Sequence, residues 1–109
     1  MLVGQPLTEH RVATHIDREH PLSEAVRALV TQVPLDSHDW QTRPFAVILP
    51  GLSVLAACLL AELHGRCGHF PAVINLRPAA DSDPGLTVFE VAELVNLQTI
   101  RDDSRRQRL

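Results

Sequence analysis

The residues best suited to binding chemistry are Pro50-Gly51-Leu52-Ser53, which follow an apolar run of strand length and precede an alanine- and leucine-rich segment. A strand that turns directly into a helix leaves the first amide N–H groups of the helix free, beside the positive end of its dipole. Gly51 lets a ligand approach the backbone closely, and Ser53 adds a hydroxyl. The motif predicts an anion site, although a plain turn in which Ser53 caps the helix explains the same residues.

A second candidate lies at the end of the next predicted strand, where Asn75 and Arg77 flank Leu76. In open parallel sheets, ligands bind beyond the carboxyl ends of the strands. If Leu76 faces the core, Asn75 and Arg77 point the other way, and Arg77 can reach a phosphate held by the neighbouring turn. The alternative is that Arg77 pairs at the surface with an aspartate of the loop 81–83.

The six histidines do not predict a metal site. His10, His15 and His20 are evenly spaced, but their spacing is not the i, i+4 spacing of helical ligands, and no cysteine or carboxylate signature accompanies them. His64 and His69 flank the end of a predicted helix, where capping explains them. We therefore expect no metal and identify no catalytic histidine.

The chain has two cysteines, Cys58 within the helix predicted over 54–66 and Cys67 directly after it. On a continuous helix their Cα atoms are about 13 Å apart, whereas a disulfide needs less than about 7 Å. Reduced thiols in a cytoplasmic protein are the simplest interpretation. Cys58 lies inside an apolar helix, which does not favour a nucleophile. The sequence has no phosphate-loop or dinucleotide fingerprint, so no cofactor is expected.

Composition excludes several classes of function. The chain has 109 residues, 45% of them hydrophobic, and a net charge of −3, which favours one globular domain over 1–109 and disfavours general DNA or RNA binding. All ten basic residues are arginine. The longest apolar run, 45–63, is interrupted by Pro50, Gly51 and Glu62, and no charged leader precedes an apolar stretch. We expect a soluble, cytoplasmic protein without a membrane span.

The hydrophobic pattern predicts an α/β fold. Strands are expected at 11–16, 44–49, 72–77 and 88–91, and helices at 22–33, 37–40 and 54–66, with a charged C-terminal helix or tail over about 98–109. The run 44–49 is apolar throughout, which is typical of a parallel strand covered on both faces. Alternation of strands and helices predicts a mostly parallel sheet.

Several segments carry a resemblance to a known family: Gln41-Thr42, Pro50-Gly51-Leu52-Ser53, Leu60-Ala61-Glu62-Leu63-His64-Gly65-Arg66, Gly68-His69-Phe70-Pro71, Leu76-Arg77-Pro78, Phe89-Glu90-Val91-Ala92-Glu93, Asn96-Leu97-Gln98 and Arg101-Asp102. Together they resemble a small CRISPR-associated accessory family, the Csx family numbered fifteen. The resemblance covers roughly 2–103, and its central block is specific.

The resemblance implies a small Rossmann-like, CARF-like three-layer domain from a type III CRISPR system, with a mostly parallel sheet. Family members begin with a further strand and helix, which are truncated or missing here. Relatives bind or cleave cyclic oligoadenylates, usually cyclic tetra-adenylate. A homodimer or higher homo-oligomer can present the same helix tip and arginine to both sides of such a symmetric ring.

These considerations lead to three functional hypotheses. The first is sequestration of the cyclic messenger without turnover, because a phosphate cradle and a second subunit suffice for it. The second is a metal-independent ring nuclease, in which a ribose 2′-hydroxyl attacks the adjacent phosphate. The third is a structural interaction module.

Overall fold

The computed structural model describes residues 9–12, 19–81 and 83–108. In chain order, the described residues form α1 (Leu22–Thr31), α2 (Ser37–Thr42), β1 (Ala46–Val47), α3 (Ser53–Cys67), β2 (Ala72–Pro78), β3 (Phe89–Asn96) and α4 (Leu97–Arg106). The protein is therefore an α/β fold, as predicted. Of the predicted strand 11–16, residues 13–16 lie outside the described residues; Arg11 and Val12 are not in a strand.

Helix α1 confirms the clearest helical pattern in the sequence. Val26, Leu29 and Val30 recur at helical spacing and are buried, so one side of the helix faces the core. The helix ends at Thr31, two residues earlier than predicted, and Pro34 follows closely. Proline cannot continue a helix because it lacks an amide hydrogen.

Helix α2 is held by its own first residues. Asp36 accepts a hydrogen bond from the Asp39 amide at 2.8 Å, and the Asp39 carboxylate accepts one from the Asp36 amide at 3.3 Å. This reciprocal cap satisfies two amides that the helix start would otherwise leave free. It fixes the helix so that Trp40 is buried, with its ring edge-on to Phe45 at 5.4 Å.

Helix α3 is the central helix of the described fold. Leu55, Leu63 and Cys67 are buried along its length. The helix ends at Gly68, whose positive φ of 83° suits a residue without a Cβ. Its start corrects one prediction: Ser53 is the first residue of the helix, and the capping position is Leu52, which offers no side-chain hydrogen bond.

Two clusters of buried side chains join these helices. Val30, Trp40, Leu63 and Cys67 form one, against which Val47 of β1 packs. The other comprises Val26, Leu29 and Leu55, with Val12 and Leu22 packed against it. Because Val47 contacts the first cluster, α3 covers the face of the sheet on which Val47 lies.

The sheet is mixed, and this overturns the expected mostly parallel arrangement. Among the described residues, β1 pairs with β2 in parallel and β2 pairs with β3 antiparallel, in the order β1-β2-β3. The segment 79–88 joins β2 to β3 without a helix. A parallel neighbour needs a crossover of a dozen or more residues, so a short connection leaves the chain only the antiparallel return.

Strand β1 is shorter and more exposed than its apolar sequence predicted. Only Ala46 and Val47 are in the strand, and Ala46 and Ile48 are exposed whereas Val47 is half-buried. The helices cover the Val47 side, so the expectation that both faces are covered is wrong for this strand. Continuous apolar sequence does not by itself show that a second layer is present.

Strand β3 continues to Asn96, five residues beyond the predicted strand, and the C-terminal helix α4 begins directly after it, close to the predicted start. The Asn96 side chain caps it by accepting from the Thr99 amide at 2.9 Å. Gln98 joins it to the start of β2 by accepting from the Phe70 amide at 2.9 Å. Its arginines pair with neighbouring aspartates at the surface, Arg101 with Asp102 and Arg106 with Asp103.

A membrane-spanning helix needs about 20 apolar residues, and none of the helices within 9–12, 19–81 and 83–108 meets the length and hydropathy required.

Adjacent residues of α3 provide a direct test of this packing. Leu55 is 1% exposed and Val54 is 56% exposed. We expect Leu55→Ala to lower the free energy of unfolding by about 3 kcal/mol, because it removes buried methyl groups and leaves a cavity. Val54→Ala is the matched control, with a change below about 0.5 kcal/mol. Urea unfolding followed by the fluorescence of Trp40, the single tryptophan of a tyrosine-free chain, measures the free energy of unfolding of both variants. Equal losses of stability in the two variants would contradict the described orientation of α3.

Candidate functional site

The start of α3 is an open helix terminus. Leu52 adopts an extended conformation and its carbonyl accepts the Ala56 amide at 2.9 Å, but no side chain caps the helix. The first turn contains no acidic residue. A helix of 15 residues therefore directs uncapped amides and the positive end of its dipole to one place.

The surroundings of this terminus leave room for a ligand. A Cβ placed on Gly51 would meet no atom within 4 Å. Leu52 and Ser53 are exposed, and Pro50 is half-buried. Gly51 does not have a positive φ. Its contribution to the site is therefore the space it leaves for a ligand to approach the backbone, and not an unusual conformation.

The sheet brings Asn75 and Arg77 to the same edge and the same face as this terminus. Val73 lies beside Val47 in the parallel pair, and both are on the face that α3 covers. Side chains alternate along a strand, so Asn75 and Arg77 share that face with Val73. Because β1 and β2 are parallel, residues after β1 and residues late in β2 lie at one end of the sheet. Topology therefore puts the predicted site residues toward the same end of the sheet.

Arg77 is held by an ion pair that the sequence did not indicate. Its Nε donates to Oε1 of Glu90 at 2.9 Å, and the two residues are directly opposite in the β2–β3 pair. The expected alternative partner, an aspartate of the loop 81–83, is not the residue that forms this bond. The side chains are 63% and 46% exposed, so the pair contributes at most about 1 kcal/mol. Arg77 is accessible and can exchange partners.

A second carboxylate lies nearby. Glu93 is opposite Asn75 and therefore shares its face of the sheet. The register shifts between Asn75 and Leu76, where β3 contains the extra residue Ala92. This bulge lets both Glu90 and Glu93 face the site although three positions separate them. The edge thus carries one arginine and two carboxylates, and an anion must compete with them.

His64 and His69 do not join this site. His69 follows the end of α3, at the opposite end of the sheet from Ser53, and its Nδ1 lies 3.2 Å from the Phe70 carbonyl oxygen. His64 packs its ring on Phe70 at 4.4 Å. His69 therefore lies away from the candidate site. No three His, Cys, Asp or Glu side chains within the described ranges are grouped to hold a metal ion.

A surface depression lies elsewhere. It follows the exposed side of α1, where Glu24, Arg27 and Thr31 contribute to its lining. The depression is broad and open. The candidate anion site is instead an exposed edge rather than a cavity.

In comparisons with known proteins, no family model, no curated protein and no solved structure matches this chain. The resemblance noted in the sequence therefore stays an expectation. The function proposed below depends on the geometry of the sheet edge.

The thiols give a test of burial near the core. Both are free; Cys67 is buried and Cys58 half-buried. Burial raises the pKa of the Cys67 thiol, so its reactive thiolate is scarcer at a given pH. We expect Cys67 to react with iodoacetamide at least about tenfold more slowly than Cys58.

Cys58→Ser and Cys67→Ser each leave one thiol and isolate the two rates, measured by intact mass. Because the folded Cys67 thiol stays protonated to higher pH than the unfolded one, its contribution to stability is lost as the pH rises above the unfolded pKa. Equal alkylation rates in the two variants would show that Cys67 is not buried in solution.

Proposed function

We infer that this protein binds a cyclic oligoadenylate, cyclic tetra-adenylate in particular, and lowers its free concentration by sequestration. The observation that carries the proposal is the uncapped start of α3 at Pro50-Gly51-Leu52-Ser53, and sheet topology puts Asn75 and Arg77 toward the same end of the sheet. The residues Pro50-Gly51-Leu52-Ser53 and Leu76-Arg77-Pro78 are also among those that resemble the CRISPR-associated family.

Two different kinds of donor favour a phosphodiester at this edge. The amides of the first turn of α3 donate from the backbone and sit at the positive end of the helix dipole. The Arg77 guanidinium can donate two parallel hydrogen bonds to one phosphate. A ligand that contacts both needs an anionic group at an exposed, curved edge, and the rim of phosphates in a cyclic oligonucleotide supplies several.

The carboxylates make binding conditional. Arg77 must release Glu90 to take a phosphate, and Glu93 repels an anion that approaches Asn75. The first cost is small because the ion pair is exposed and screened by water. A dianionic or polyanionic ligand is favoured over a single phosphate, because several contacts together outweigh these fixed charges. The net charge of −3 then suppresses binding of long nucleic acids.

Sequestration is favoured over cleavage by the residues at the edge. The described residues around it, 50–53, 75–77 and 90–93, include no histidine, and the chain contains no lysine or tyrosine. Cleavage by a ribose 2′-hydroxyl benefits from a group that moves a proton. Binding requires only donors that hold the phosphates. Two copies of the edge from neighbouring protomers could contact opposite sides of a ring with two-fold symmetry.

The finer fold and location belong to the same proposal. The β1–α3–β2 unit, with parallel strands joined by a helix, is the unit from which Rossmann-like folds are built. We assign the chain to a small Rossmann-like domain whose third described strand has been turned antiparallel. Cyclic oligoadenylates of type III CRISPR systems are made inside the cell, so the proposed location is the cytoplasm.

The role of Arg77 can be measured directly. Arg77→Ala should weaken binding of cyclic tetra-adenylate by about 1–3 kcal/mol, or roughly 5- to 150-fold, because a charge-assisted contact to phosphate is lost. Glu90→Gln keeps the shape, removes the competing charge and should tighten binding by a few fold. Arg101→Ala, on α4 and paired with Asp102, is the control. Calorimetry gives all three affinities, and an unchanged Arg77→Ala affinity removes Arg77 from the site.

Binding and turnover are separated by stoichiometry. With labelled cyclic tetra-adenylate, we expect intact ligand to be retained in proportion to the protein added, and chromatography of the extracted nucleotide to show no linear product. Linear product formed in excess of protein would identify a ring nuclease instead. Neither retention nor product would reject nucleotide binding and leave a structural interaction module.

A further inference from the structure

The sheet has a second face, opposite to the face that α3 covers. We define the open face as Ile74, Leu76, Pro78, Phe89, Val91 and Leu94. These residues are three cross-strand pairs of β2 and β3: Ile74 with Leu94, Leu76 with Val91, and Pro78 with Phe89. Paired side chains point to the same side of a sheet, and this side is opposite to Val73 and Val47. All six side chains are apolar.

The charges of the two strands are sorted by face. Arg77, Glu90 and Glu93 alternate with the open-face residues and lie on the other side of the sheet. None of the six open-face positions carries a charge or a hydrogen-bonding side chain. On a strand with one solvated face, the residues toward water are normally polar. Here the side with fewer covering elements is the apolar one, which indicates that something else buries it.

The described fold leaves this face in contact with water. Phe89, Val91 and Leu94 are 59%, 60% and 61% exposed, and Leu76 is 38% exposed. Helix α4 contacts β2, yet these four side chains remain accessible. At those fractions they present roughly 400 Å² of apolar surface, a large contiguous patch for a chain of this size.

The size of the patch fits a homodimer interface. A specific interface buries about 800 Å² on each partner, and about 65% of the area in homodimers is apolar. Ile74 and Pro78 adjoin the four exposed side chains and bring the apolar area close to that requirement. The patch is therefore about as large as the apolar part of one half of such an interface, and polar residues around it would supply the remaining area.

We propose that the open face is the interface with a second copy of this chain, the two sheets packing face to face about a two-fold axis. Two sheets that pack in this way lie about 10 Å apart with their strands nearly aligned, and their side chains interdigitate. In such an interface the same patch serves both protomers. Each chain has a net charge of −3, but the open face is uncharged, so the surfaces meet without like-charge repulsion.

The described residues next to the run 13–18 lie away from this face. Val12 and Leu22, on either side of the undescribed run 13–18, both pack in the cluster of Val26, Leu29 and Leu55. That cluster belongs to the helix layer on the other side of the sheet. The described chain at both ends of the run is thus anchored away from the open face.

The proposal goes beyond nucleotide binding and does not depend on it. The anion edge uses the helix-covered face of the sheet, whereas the dimer uses the opposite face. A face-to-face dimer also leaves both anion edges accessible. Dimer formation is therefore expected in the absence of any nucleotide, and its measurement gives a result whether or not cyclic tetra-adenylate binds.

The test is the mass of the full chain in nucleotide-free solution. Sedimentation equilibrium from micromolar to millimolar concentration should give twice the chain mass of 12.1 kDa. Val91→Glu places a charge at the centre of the open face and should raise the dimer dissociation constant by about 30-fold or more. Leu94→Gln is a milder variant with the same expected direction, made in case the charged variant does not fold. Trp40 fluorescence during urea unfolding reports folding of both.

Val54→Glu is the matched control, because Val54 has a similar exposed fraction, 56%, but lies on α3 on the other side of the sheet. It should leave the dissociation constant unchanged. A wild-type chain that remains monomeric at every concentration would overturn the proposal and indicate that another segment or another partner covers the face. A dimer that both open-face variants leave intact would overturn it equally.

Discussion

The packing of α3 against the strands and the other helices is the constraint from which the remaining features follow. Leu55, Leu63 and Cys67 are buried at spacings that keep one side of the helix inward, and this fixes where the helix starts. The start cannot move without withdrawing those side chains from the core. The open terminus is therefore held beside the end of β1 by hydrophobic burial at a distance from it, rather than by any polar contact at the terminus itself.

The candidate site shows how a weak ion pair can set specificity. Arg77 and Glu90 are paired across two strands in water, where such a pair adds little stability. The same pair keeps the guanidinium extended along the sheet face. The Glu90 carboxylate also offsets part of the attraction between the guanidinium and small anions. Under the proposed function, a ligand with several phosphates contacts the α3 amides and Arg77 together and so competes with Glu90 more strongly than a single anion does. Selectivity then arises from competition rather than from a basic surface.

The antiparallel return of β3 explains why the molecule has two unlike faces. A third parallel strand would have required a crossover helix, and that helix would have packed on one side of the sheet. The direct connection between β2 and β3 omits it, so apolar side chains of the hairpin remain uncovered on one side. The bulge at Ala92 increases the contrast, because it turns Glu90 and Glu93 toward the same face as Arg77 and leaves Phe89, Val91 and Leu94 on the other.

Local pattern by itself determined α1, the short helix α2, the extent of β2, and the order of strand and helix in 89–106. These features depend on hydrophobic spacing, capping and backbone freedom within a few residues. The sequence also identified Pro50-Gly51-Leu52-Ser53 and Arg77 as residues at strand ends. It placed the cap wrongly at Ser53, expected a mostly parallel sheet with β1 covered on both faces, and missed Glu90 and Glu93. Those features required the tertiary structure, because strand direction, register and the covering of a face depend on contacts between residues distant in the chain. No local pattern encodes which side of an apolar strand packs against another element.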